Sequence, residues 1–441
     1  MTGWAGLVGQ RVGLWGAGVE GAASLARLAT EGVEPAAVVA HTAGSLGGHR
    51  VLTLGDGGLR LLEGCDVVVK SPGISPYDEP ALAVSRAGAR ITSGLALWLE
   101  DAPAARVACI TGTKGKSTTT AVAGAIARGL GQRVFVGGNL GAPPWAPGAP
   151  DAEWYLIETS SYQACDLTAG PRVVAVTSLS ADHLTWHRGY DAYVRDKLSL
   201  CTRPGVEVVL APRDDRELRR HDELLGPHVR YVEESDQPWV EPLGLLGRHN
   251  VRNALLAREV LVALGVPGSD DDARVTTAVA AYEPLPSRLT VVGDVDGVTF
   301  VDDSLSTNTL PTLAAVDAFA GRRVALLVGG HDRGIDYGPL AEGLRGRADP
   351  LRVFALPDNG PRIAATLHAE APGVEVTEVG SLTAAVASAY DWARPDGVVL
   401  LSPAAPSFGV FKDYAERAEA FAQAMRSVRA RVETGRGAEH G

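Results

Sequence analysis

The residues best suited to chemistry lie in one stretch, 110–119, which reads Ile-Thr-Gly-Thr-Lys-Gly-Lys-Ser-Thr-Thr. An apolar run over 106–110 leads into it and predicts a buried strand, and a helical run over 118–128 leads out of it. A strand, a glycine-rich turn and a helix together cradle a polyphosphate, because backbone N–H groups at the start of the helix point at the phosphate oxygens. The alternative is a turn that only caps a helix, but Gly-Lys-Ser after a strand is far rarer than a lone pair of glycines.

The side chains of this loop have predicted roles. Gly112 and Gly115 let the backbone approach a phosphate with no Cβ in the way. Lys116 would reach the β- and γ-phosphates of ATP, and the hydroxyl of Ser117 would bind Mg²⁺. The predicted phosphate-binding set is Gly112, Thr113, Lys114, Gly115, Lys116, Ser117 and Thr118.

Acidic and imidazole groups follow two further predicted strands. Glu158 follows the apolar run 154–157, and Asp182 and His183 follow the run 173–179. Because the carboxyl ends of parallel strands meet at one edge of a sheet, Glu158 and His183 can share a metal ion with Ser117. His183 alone would be interpreted as a surface histidine, but the neighbouring Asp182 and the phosphate loop favour a ligand.

Two positions on predicted helices add to this site. Lys197 lies on a helix predicted over 190–201 and by itself is a solvated charge. Asn253 lies near the start of an Ala/Leu-rich helix, where an amide could contact an adenine edge.

Length and composition limit the function classes. The 441 residues predict two or three domains, and 46% hydrophobic residues are enough for their cores. A formal charge of −11 argues against nonspecific binding to nucleic acid or to anionic membranes. Four cysteines without CxxC spacing indicate reduced, structural thiols, as in a cytoplasmic protein. Neither a signal peptide nor a bilayer-spanning segment is predicted.

The first hundred residues predict a βαβ unit with its own binding turn. A strand over 11–15 leads into Gly16-Ala17-Gly18-Val19-Glu20-Gly21, and a helix over 22–30 follows. This GxGxxG turn is a weak signal for a dinucleotide, and the next strand, 37–40, ends in His41-Thr42 without the acidic residue that binds the ribose of NAD. A third strand, 65–70, ends in a Ser-Pro-Gly turn that starts at Ser71, where α/β folds place ligand-contacting backbone.

The sequence after Pro286 predicts a third α/β domain. The predicted strands 299–301, 323–328 and 397–401 each end in a loop of small or polar residues. We therefore expect an α/β protein of three domains, with boundaries 1–104, 105–286 and 287–441. The first and third are predicted to be Rossmann-like, and the central one carries the P-loop.

The loop lacks the first glycine of the general P-loop, since Ile110 stands there, and reads Thr-Gly-Thr-x-Gly-Lys-Ser-Thr. In this it resembles the Mur ligases and the folylpolyglutamate synthetases. The whole chain is similar to the Mur ligases that add glutamate to UDP-N-acetylmuramoyl-L-alanine (MurD-type enzymes). The motifs that carry the resemblance are 112–118, 158–163, Asp182-His183 with Lys197, 250–253, Arg288, 303–308 and 402–414.

This resemblance implies roles for further residues. The UDP substrate would contact Trp15, Gly16, Ala17, Thr42, Ser71, Asn139 and Ser160. ATP would also contact Asn253, Arg288 and Asp303, and magnesium would be held by Ser117, Glu158, His183 and a carbamylated Lys197. Glutamate would be bound by Thr307, Arg333, Ser407 and Tyr414. Lys116, Glu158, His183 and Lys197 would be the catalytic residues.

The implied reaction has two steps and uses ATP and Mg²⁺. The alanyl carboxylate attacks the γ-phosphate to give an acyl phosphate, and the amine of glutamate then displaces phosphate. Domain closure is expected to bring the parts together. A cytoplasmic monomer is expected, with no nucleic-acid or membrane partner.

Three positions depart from the common MurD pattern. Lys114 replaces the usual asparagine, and we expect it to face solvent. Leu305 stands where a lysine is usual, and Arg333 also replaces a lysine. Two changes in the glutamate pocket resemble a minor branch that adds L-glutamate and leaves inversion of the product to an epimerase. Use of D-glutamate remains the alternative.

Three other classes compete with this interpretation. A folylpolyglutamate synthetase shares the loop, including Lys114, but lacks a separate N-terminal α/β domain. An NAD-dependent oxidoreductase built on the GxGxxG turn leaves the Lys116 loop unexplained. A regulator with a vestigial ATP site would not need Glu158, His183 and Lys197 together.

Overall fold

The computed structural model describes residues 3–439, with side chains to residue 434, and this part of the chain contains three six-stranded sheets. The sheets follow one another along the chain, and helices connect their strands. An α/β fold of three domains is therefore confirmed.

The first sheet lies in the N-terminal hundred residues. Its strands are β1 (Val12–Trp15), β2 (Ala37–Val39), β3 (Gly44–Leu46), β4 (His49–Leu52), β5 (Val67–Lys70) and β6 (Arg90–Ser93), and its helices are α1 (Val19–Thr30), α2 (Leu59–Glu63), α3 (Glu79–Arg86) and α4 (Gly94–Asp101). The strand order is β3-β4-β2-β1-β5-β6, parallel except for β3 with β4. The order reverses beside β1, so the carboxyl ends of β1 and β5 flank a crevice.

The second sheet is wholly parallel. Its strands are β7 (Val107–Thr111), β8 (Val134–Gly138), β9 (Trp154–Glu158), β10 (Val173–Val176), β11 (Val208–Pro212) and β12 (Val229–Val232). Its helices are α5 (Lys116–Gly129), α6 (Ser161–Ala164), α7 (Leu184–His187), α8 (Tyr190–Leu198), α9 (Arg216–Arg220), α10 (Asp222–Leu225), α11 (Arg248–Leu264) and α12 (Asp272–Val279). The order β12-β11-β10-β7-β9-β8 places β7 between β9 and β10, so the loop after β7 opens at the switch point of the sheet.

The third sheet carries one antiparallel edge. Its strands are β13 (Thr290–Val295), β14 (Val298–Asp302), β15 (Val324–Val328), β16 (Leu351–Ala355), β17 (Glu375–Glu378) and β18 (Val398–Leu401). Its helices are α13 (Thr309–Asp317), α14 (Gly338–Leu344), α15 (Gly360–Glu370), α16 (Leu382–Ala393) and α17 (Tyr414–Glu439). In the order β13-β14-β18-β15-β16-β17, only β13 with β14 is antiparallel, so β14, β18 and β15 end side by side.

Short helical segments complete the described secondary structure. They are the 3₁₀ turns Ala5–Leu7, Ala104–Arg106, Ser199–Thr202 and Glu241–Leu243, and the π-type turn Leu54–Gly58. The third 3₁₀ turn replaces the end of the helix predicted over 190–201, which stops at Leu198. No helix within 3–439 is both long and apolar enough to cross a bilayer. The four cysteines are free thiols, as predicted.

The chain divides into two compact units. One comprises the chain up to Leu243 together with Arg252–Tyr282, and the other comprises Gly244–Val251 together with the chain from Glu283. The first unit contains the first two sheets, and one hydrophobic cluster includes buried residues of both, such as Leu14 and Ile157. The segment Gly244–Val251, predicted with the central domain, belongs to the unit of the third sheet, where Leu246 packs against the core.

Candidate active site

The loop after β7 has the backbone that a phosphate site requires. Gly112 and Gly115 adopt φ angles of 134° and 90°, a region that L side chains rarely adopt. A Cβ on Gly112 would lie 2.1 Å from the hydroxyl of Thr177, and one on Gly115 would lie 2.4 Å from Oδ1 of Asn253. Both glycines are therefore required, and the predicted adenine residue Asn253 lies against the phosphate loop.

Two lysines converge on one carbonyl of this loop. The Nζ of Lys116 donates to the carbonyls of Gly112 at 3.0 Å and Thr113 at 3.1 Å. The Nζ of Lys197, which is fully buried, donates to the same Gly112 oxygen at 2.9 Å. From the sequence alone, Lys197 was interpreted as a solvated charge. In the structure it is instead buried and hydrogen-bonded to the phosphate loop.

The loop after β10 holds the phosphate loop in place. The amide of Lys114 donates to Oγ of Ser178 at 2.9 Å, and the hydroxyl of Thr177 donates to the Lys114 carbonyl. Thr113 Oγ1 lies 2.6 Å from the phenol oxygen of Tyr193. β10 ends at Val176 rather than at residue 179 as predicted, and the two residues that follow it bond to the phosphate loop.

The expectation that Lys114 faces solvent is wrong. Its Nζ pairs with Oδ2 of Asp182 at 3.2 Å, and both side chains are about one-third exposed or less. Although burial raises the pKa of Asp182, the charge of Lys114 and of neighbouring cations holds that pKa below its ordinary value. Lys114 therefore fixes the carboxylate next to His183.

Glu158 is the last residue of β9, and His183 lies in the segment after β10; these two strands flank β7. Glu158 is buried and pairs in register with Ile110, the residue before the last of β7. Its Oε1 accepts from Nδ2 of Asn139 at 2.6 Å, whereas Oε2 has no hydrogen-bond partner within the described part of the chain. A buried carboxylate oxygen that receives no hydrogen bond is suited to bind a hard cation such as Mg²⁺.

His183 has the protonation state that a ligand needs. It occupies the left-handed region, with φ 52°, at the start of α7, and its ring lies 5.0 Å from that of Tyr162. Burial lowers the pKa of His183, and the charge of Asp182 acts in the opposite direction. The imidazole is therefore mainly neutral at neutral pH, which is the form that binds metals.

Lys197 is electrostatically unsuited to remaining an ammonium ion. Burial lowers its pKa well below the ordinary lysine value, and the charge of Lys116 lowers it further. Asp182 and Glu158 act in the opposite direction. A neutral amine is the form that reacts with CO₂ to give a carbamate, so the environment fits the predicted modification.

The residues fit a magnesium ion only if that modification is made. Among residues 3–439, no group of three or more His, Cys, Asp or Glu side chains is arranged to hold a metal. The predicted set contains just two such residues, Glu158 and His183. The hydroxyl of the buried Ser117 would be a third ligand. A carbamate on Lys197 would add the hard anionic oxygens that Mg²⁺ prefers.

A cavity of about 1030 Å³ opens at the carboxyl edge of the first sheet. Five of the seven predicted UDP contacts line it: Trp15, Gly16, Ala17, Thr42 and Ser71. The Oγ of Ser71 is buried there and has no hydrogen-bond partner among the described residues. A Cβ on Gly18 would meet no described atom within 4 Å, so the backbone of the turn is open to a ligand.

Asn139 and Ser160 are placed elsewhere. They are not among the described residues that line this cavity. Asn139 binds Glu158, and Ser160 caps α6 through a reciprocal capping box with Gln163. Their predicted contacts with the UDP substrate stay predictions.

In the third sheet, Asp303 is a buried part of a loop network. Its Oδ1 accepts from the amide of Leu289 at 3.1 Å, and its Oδ2 accepts from the hydroxyls of Ser402, at 2.7 Å, and of Ser306. Burial raises the pKa of Asp303 to about 7. Arg288 stands between two residues in the left-handed region, Ser287 at φ 58° and Leu289 at φ 54°. The network thus fixes the backbone on both sides of Arg288.

The predicted glutamate residues lie on the loops after β14, β15 and β18 and at the start of α17. The guanidinium of Arg333 is exposed and lies 5.5 Å from the ring centroid of Phe408, which follows the buried Ser407. Leu305 and Thr307 are half-buried in the first loop, and Tyr414 is exposed. Backbone bonds join the loops, for example from His331 N to Pro406 O at 2.9 Å.

Comparison with known proteins gives the family. Residues 110–241 match the Mur ligase middle domain, and residues 287–405 match the Mur ligase glutamate ligase domain. A UDP-N-acetylmuramoyl-L-alanine–L-glutamate ligase of Micromonospora sp. is 40% identical over 96% of this chain and 98% of its own. The chain belongs to the Mur ligase family. It is thus an ATP-dependent acid–amino-acid ligase of peptidoglycan synthesis.

Other Mur ligases support this placement. The enzyme of the same name from Xanthomonas axonopodis pv. citri is 40% identical and aligns with 95% of each chain. Among solved structures, MurF from Acinetobacter baumannii superposes with a TM-score of 0.58 at 16% identity, covering 95% of this chain and 90% of its own. MurF from Thermotoga maritima in complex with ADP gives 0.57 at 14% identity, with 95% of each chain covered. These two structures share the fold.

One buried arginine of the C-terminal helix was not predicted from the sequence. Arg417 of α17 is 1% exposed. Its guanidinium donates to the carbonyls of Ser304 at 2.6 Å and Ala405 at 3.2 Å, so it connects the loops after β14 and β18. The signal was weak because an arginine in an Ala/Glu-rich helix is usually a solvated charge.

Proposed function

We propose that this Mur ligase adds L-glutamate to UDP-N-acetylmuramoyl-L-alanine through an acyl phosphate, with ATP and Mg²⁺. The observation that carries the proposal is the arrangement at the loops of the third sheet, where the guanidinium of Arg333 lies over the ring of Phe408 and an apolar Leu305 occupies the loop after β14. The names of the relatives from Micromonospora and Xanthomonas support it.

The first step transfers a phosphoryl group. An oxygen of the alanyl carboxylate attacks the γ-phosphorus of ATP, the bond to the β,γ-bridging oxygen breaks, and ADP leaves. Lys116 would leave the Gly112 carbonyl to neutralise charge on the transferred group, and the amides at the start of α5 would hold the phosphates. Bound Mg²⁺, held by Ser117, Glu158, His183 and carbamylated Lys197, would supply further charge neutralisation.

The second step forms the amide bond. The uncharged amine of glutamate attacks the acyl carbon, the C–O bond to phosphate breaks, and the proton lost by the nitrogen leaves with inorganic phosphate as HPO₄²⁻. A carboxylate resists direct attack by an amine because its oxygen is a poor leaving group, so phosphorylation makes the step possible. The protein's contribution is mainly positioning, which is why the loops of the third sheet are tied by Arg417.

We assign the three predicted domains, 1–104, 105–286 and 287–441, to the UDP substrate, ATP and glutamate. The cavity beside β1 supports the first assignment, and the phosphate loop supports the second. Asn253, Arg288 and Asp303 would complete the nucleotide site. Reduced thiols and soluble substrates agree with a cytoplasmic enzyme, and a product that carries L-glutamate would need an epimerase downstream.

The choice between the glutamate isomers depends on where the pocket holds cations. With the amine aimed at the acyl carbon, L- and D-glutamate place their carboxylates differently. A guanidinium at 333 can hold a carboxylate through two hydrogen bonds, whereas the leucine at 305 offers no charge. A carboxylate left without a partner costs a few kcal/mol, which corresponds to discrimination of roughly 10²-fold.

The test is ligation of UDP-N-acetylmuramoyl-L-alanine with each isomer of glutamate in parallel, with ADP release and product both measured. We expect kcat/KM for L-glutamate to exceed that for D-glutamate by roughly 10²-fold. Equal or higher kcat/KM for D-glutamate would favour the alternative, the same reaction with the D isomer. Ligation of glutamate to a folate and not to the UDP substrate would overturn the substrate assignment itself.

A further inference from the structure

Glu20 is a carboxyl group at the rim of the first-sheet cavity that no other part of the reaction uses. It lies in the first turn of α1 and is one of the residues that line the cavity. Its Oε1 accepts a hydrogen bond of 2.7 Å from Nε2 of Gln163. Its Oε2 is buried and has no hydrogen-bond partner in the described residues.

The surroundings of Glu20 favour its neutral form. A cation that acts on Glu20 is Lys70, at the end of β5, but its Nζ is already paired with Asp166 at 2.6 Å, and both side chains are nearly inaccessible. Burial is the main cause that raises the pKa of Glu20, to about 7, and Asp166 also raises it, whereas the Gln163 hydrogen bond and Lys70 lower it. The start of α1 would also favour a negative charge, but the bound phosphate of a nucleotide would occupy that helix end.

A second orphaned oxygen belongs to the lining of the same cavity. The Oγ of Ser71 is likewise buried without a partner in the described residues. A Cβ on Gly21, the residue after Glu20, would lie 3.6 Å from that oxygen, so the first turn of α1 packs against Ser71. Buried polar groups rarely lack partners unless a ligand or water supplies them.

We propose that Glu20 binds the UDP substrate as a neutral acid, takes up a proton when the substrate enters, and donates that proton in a hydrogen bond to an acceptor oxygen of the ligand. The inference rests on the proposed function, since it takes the UDP substrate as the occupant of the cavity. An ionised Glu20 would repel the diphosphate, whereas a neutral one can donate to it. The same residue thereby makes substrate affinity depend on pH.

The sign of this dependence follows from the charges. An anion placed beside Glu20 raises its proton affinity further, so the complex holds the proton to higher pH than the unbound protein does. The affinity for the substrate is then nearly independent of pH up to about pH 6 and weakens above about pH 7, by up to tenfold per pH unit. Between pH 6 and pH 8 the expected loss of affinity is about tenfold.

The test measures binding of UDP-N-acetylmuramoyl-L-alanine to the full chain by calorimetry at pH 6, 7 and 8. The diphosphate and the alanyl carboxylate of this probe keep constant charge over that range. We expect Kd to rise about tenfold from pH 6 to pH 8. In a second measurement, at pH 7.5, the binding enthalpy should vary with the ionisation enthalpy of the buffer, with a slope that corresponds to uptake of most of one proton. The Glu20→Gln variant, which keeps a donor group, should bind at all three pH values about as tightly as the unmodified protein does at pH 6.

A matched variant separates this effect from general charge. Glu79→Gln removes an exposed carboxylate of α3 that pairs with Arg86, and it should keep the full pH dependence. Binding that is independent of pH in the unmodified protein, or a Glu20→Gln variant with unchanged pH dependence, would overturn the role of Glu20 but not the substrate. The buffer measurement needs no variant, so it decides even if Glu20→Gln fails to fold. Failure to bind the probe at every pH would instead contradict the proposed function.

Discussion

Lys116 and Lys197 donate to the same oxygen, the carbonyl of Gly112, at 3.0 and 2.9 Å. Two ammonium groups on one acceptor repel each other, and the fully buried one has the lowered pKa. We therefore propose different roles for the two lysines: Lys116 would move to a phosphate, whereas the environment of Lys197 favours loss of its proton. The first two predictions separate these roles.

Replacement of Lys116 by alanine should lower kcat by on the order of 10²-fold or more, because it removes the cation that stabilises the transferring phosphoryl group. Initial rates of ADP release with saturating substrates measure the effect. Arg128→Ala is the matched control, since Arg128 is an exposed cation near the other end of α5, and it should keep normal turnover. Near-normal turnover of Lys116→Ala would mean that the loop is not the ATP site.

Lys197→Ala should be inactive because the carbamate oxygens that complete the magnesium site are lost. Acetate or formate should restore part of the activity, since a small carboxylate can occupy the space and supply the same oxygens. The measurement is ligation rate against added carboxylate, with chloride at equal ionic strength as control. An active enzyme whose crystal structure at neutral pH shows an unmodified lysine at this position would rule the carbamate out.

Much of the fold was predictable because the signals are local. Strands such as β1, β7 and β15 are continuous apolar runs, since both faces of a parallel sheet are buried. The phosphate loop was predictable for the same reason: its glycines and its lysine are consecutive and follow a strand. The antiparallel edge strands β3 and β13 gave no comparable signal because their residues are mixed, whereas the neighbouring β14 was predicted over 299–301.

The rest depends on residues far apart in the chain. The ion pair of Lys114 with Asp182 and the bond from Lys197 to Gly112 form only after β7, β10 and α8 are packed. A charged side chain on an isolated segment looks solvated, so its burial cannot be inferred without its partner. Glu20 is the same case, since its partner Gln163 lies on α6, far away in the chain.

The raised pKa of Asp303 leads us to predict that the free energy of unfolding depends on pH. Its folded pKa of about 7 lies above the ordinary 3.8, so its stabilising contribution is complete below about pH 4 and is lost as the pH rises through 7. The free energy of unfolding in urea should fall between pH 5 and pH 8 by roughly 1–3 kcal/mol less in Asp303→Asn than in the unmodified protein. The reason is that an amide keeps a hydrogen-bond acceptor and a donor without ionising. Asp317→Asn, at an exposed pair with Arg347, should leave the slope unchanged. An equal slope in Asp303→Asn and unmodified protein would contradict a raised pKa.

The last prediction concerns the cations that select glutamate. Leu305 lies in the loop after β14, and Arg333, in the loop after β15, lies over the ring of Phe408, so the proposed glutamate pocket would carry its charge on the second of these loops. The double variant Leu305→Lys/Arg333→Lys adds an ammonium on the first loop and removes the two-pronged guanidinium from the second.

We expect this variant to lower the ratio of kcat/KM for L- over D-glutamate by at least about tenfold, because a carboxylate of the D isomer gains a partner and one of the L isomer loses a bidentate one. Arg362→Lys is the control: this arginine pairs with Asp332 at 2.7 Å beside the pocket, and its replacement should leave the ratio unchanged. KM for the UDP substrate should stay constant in all variants, since we propose that this substrate binds in the first domain. A double variant that keeps the ratio of the unmodified enzyme would show that selection rests on contacts other than these two positions.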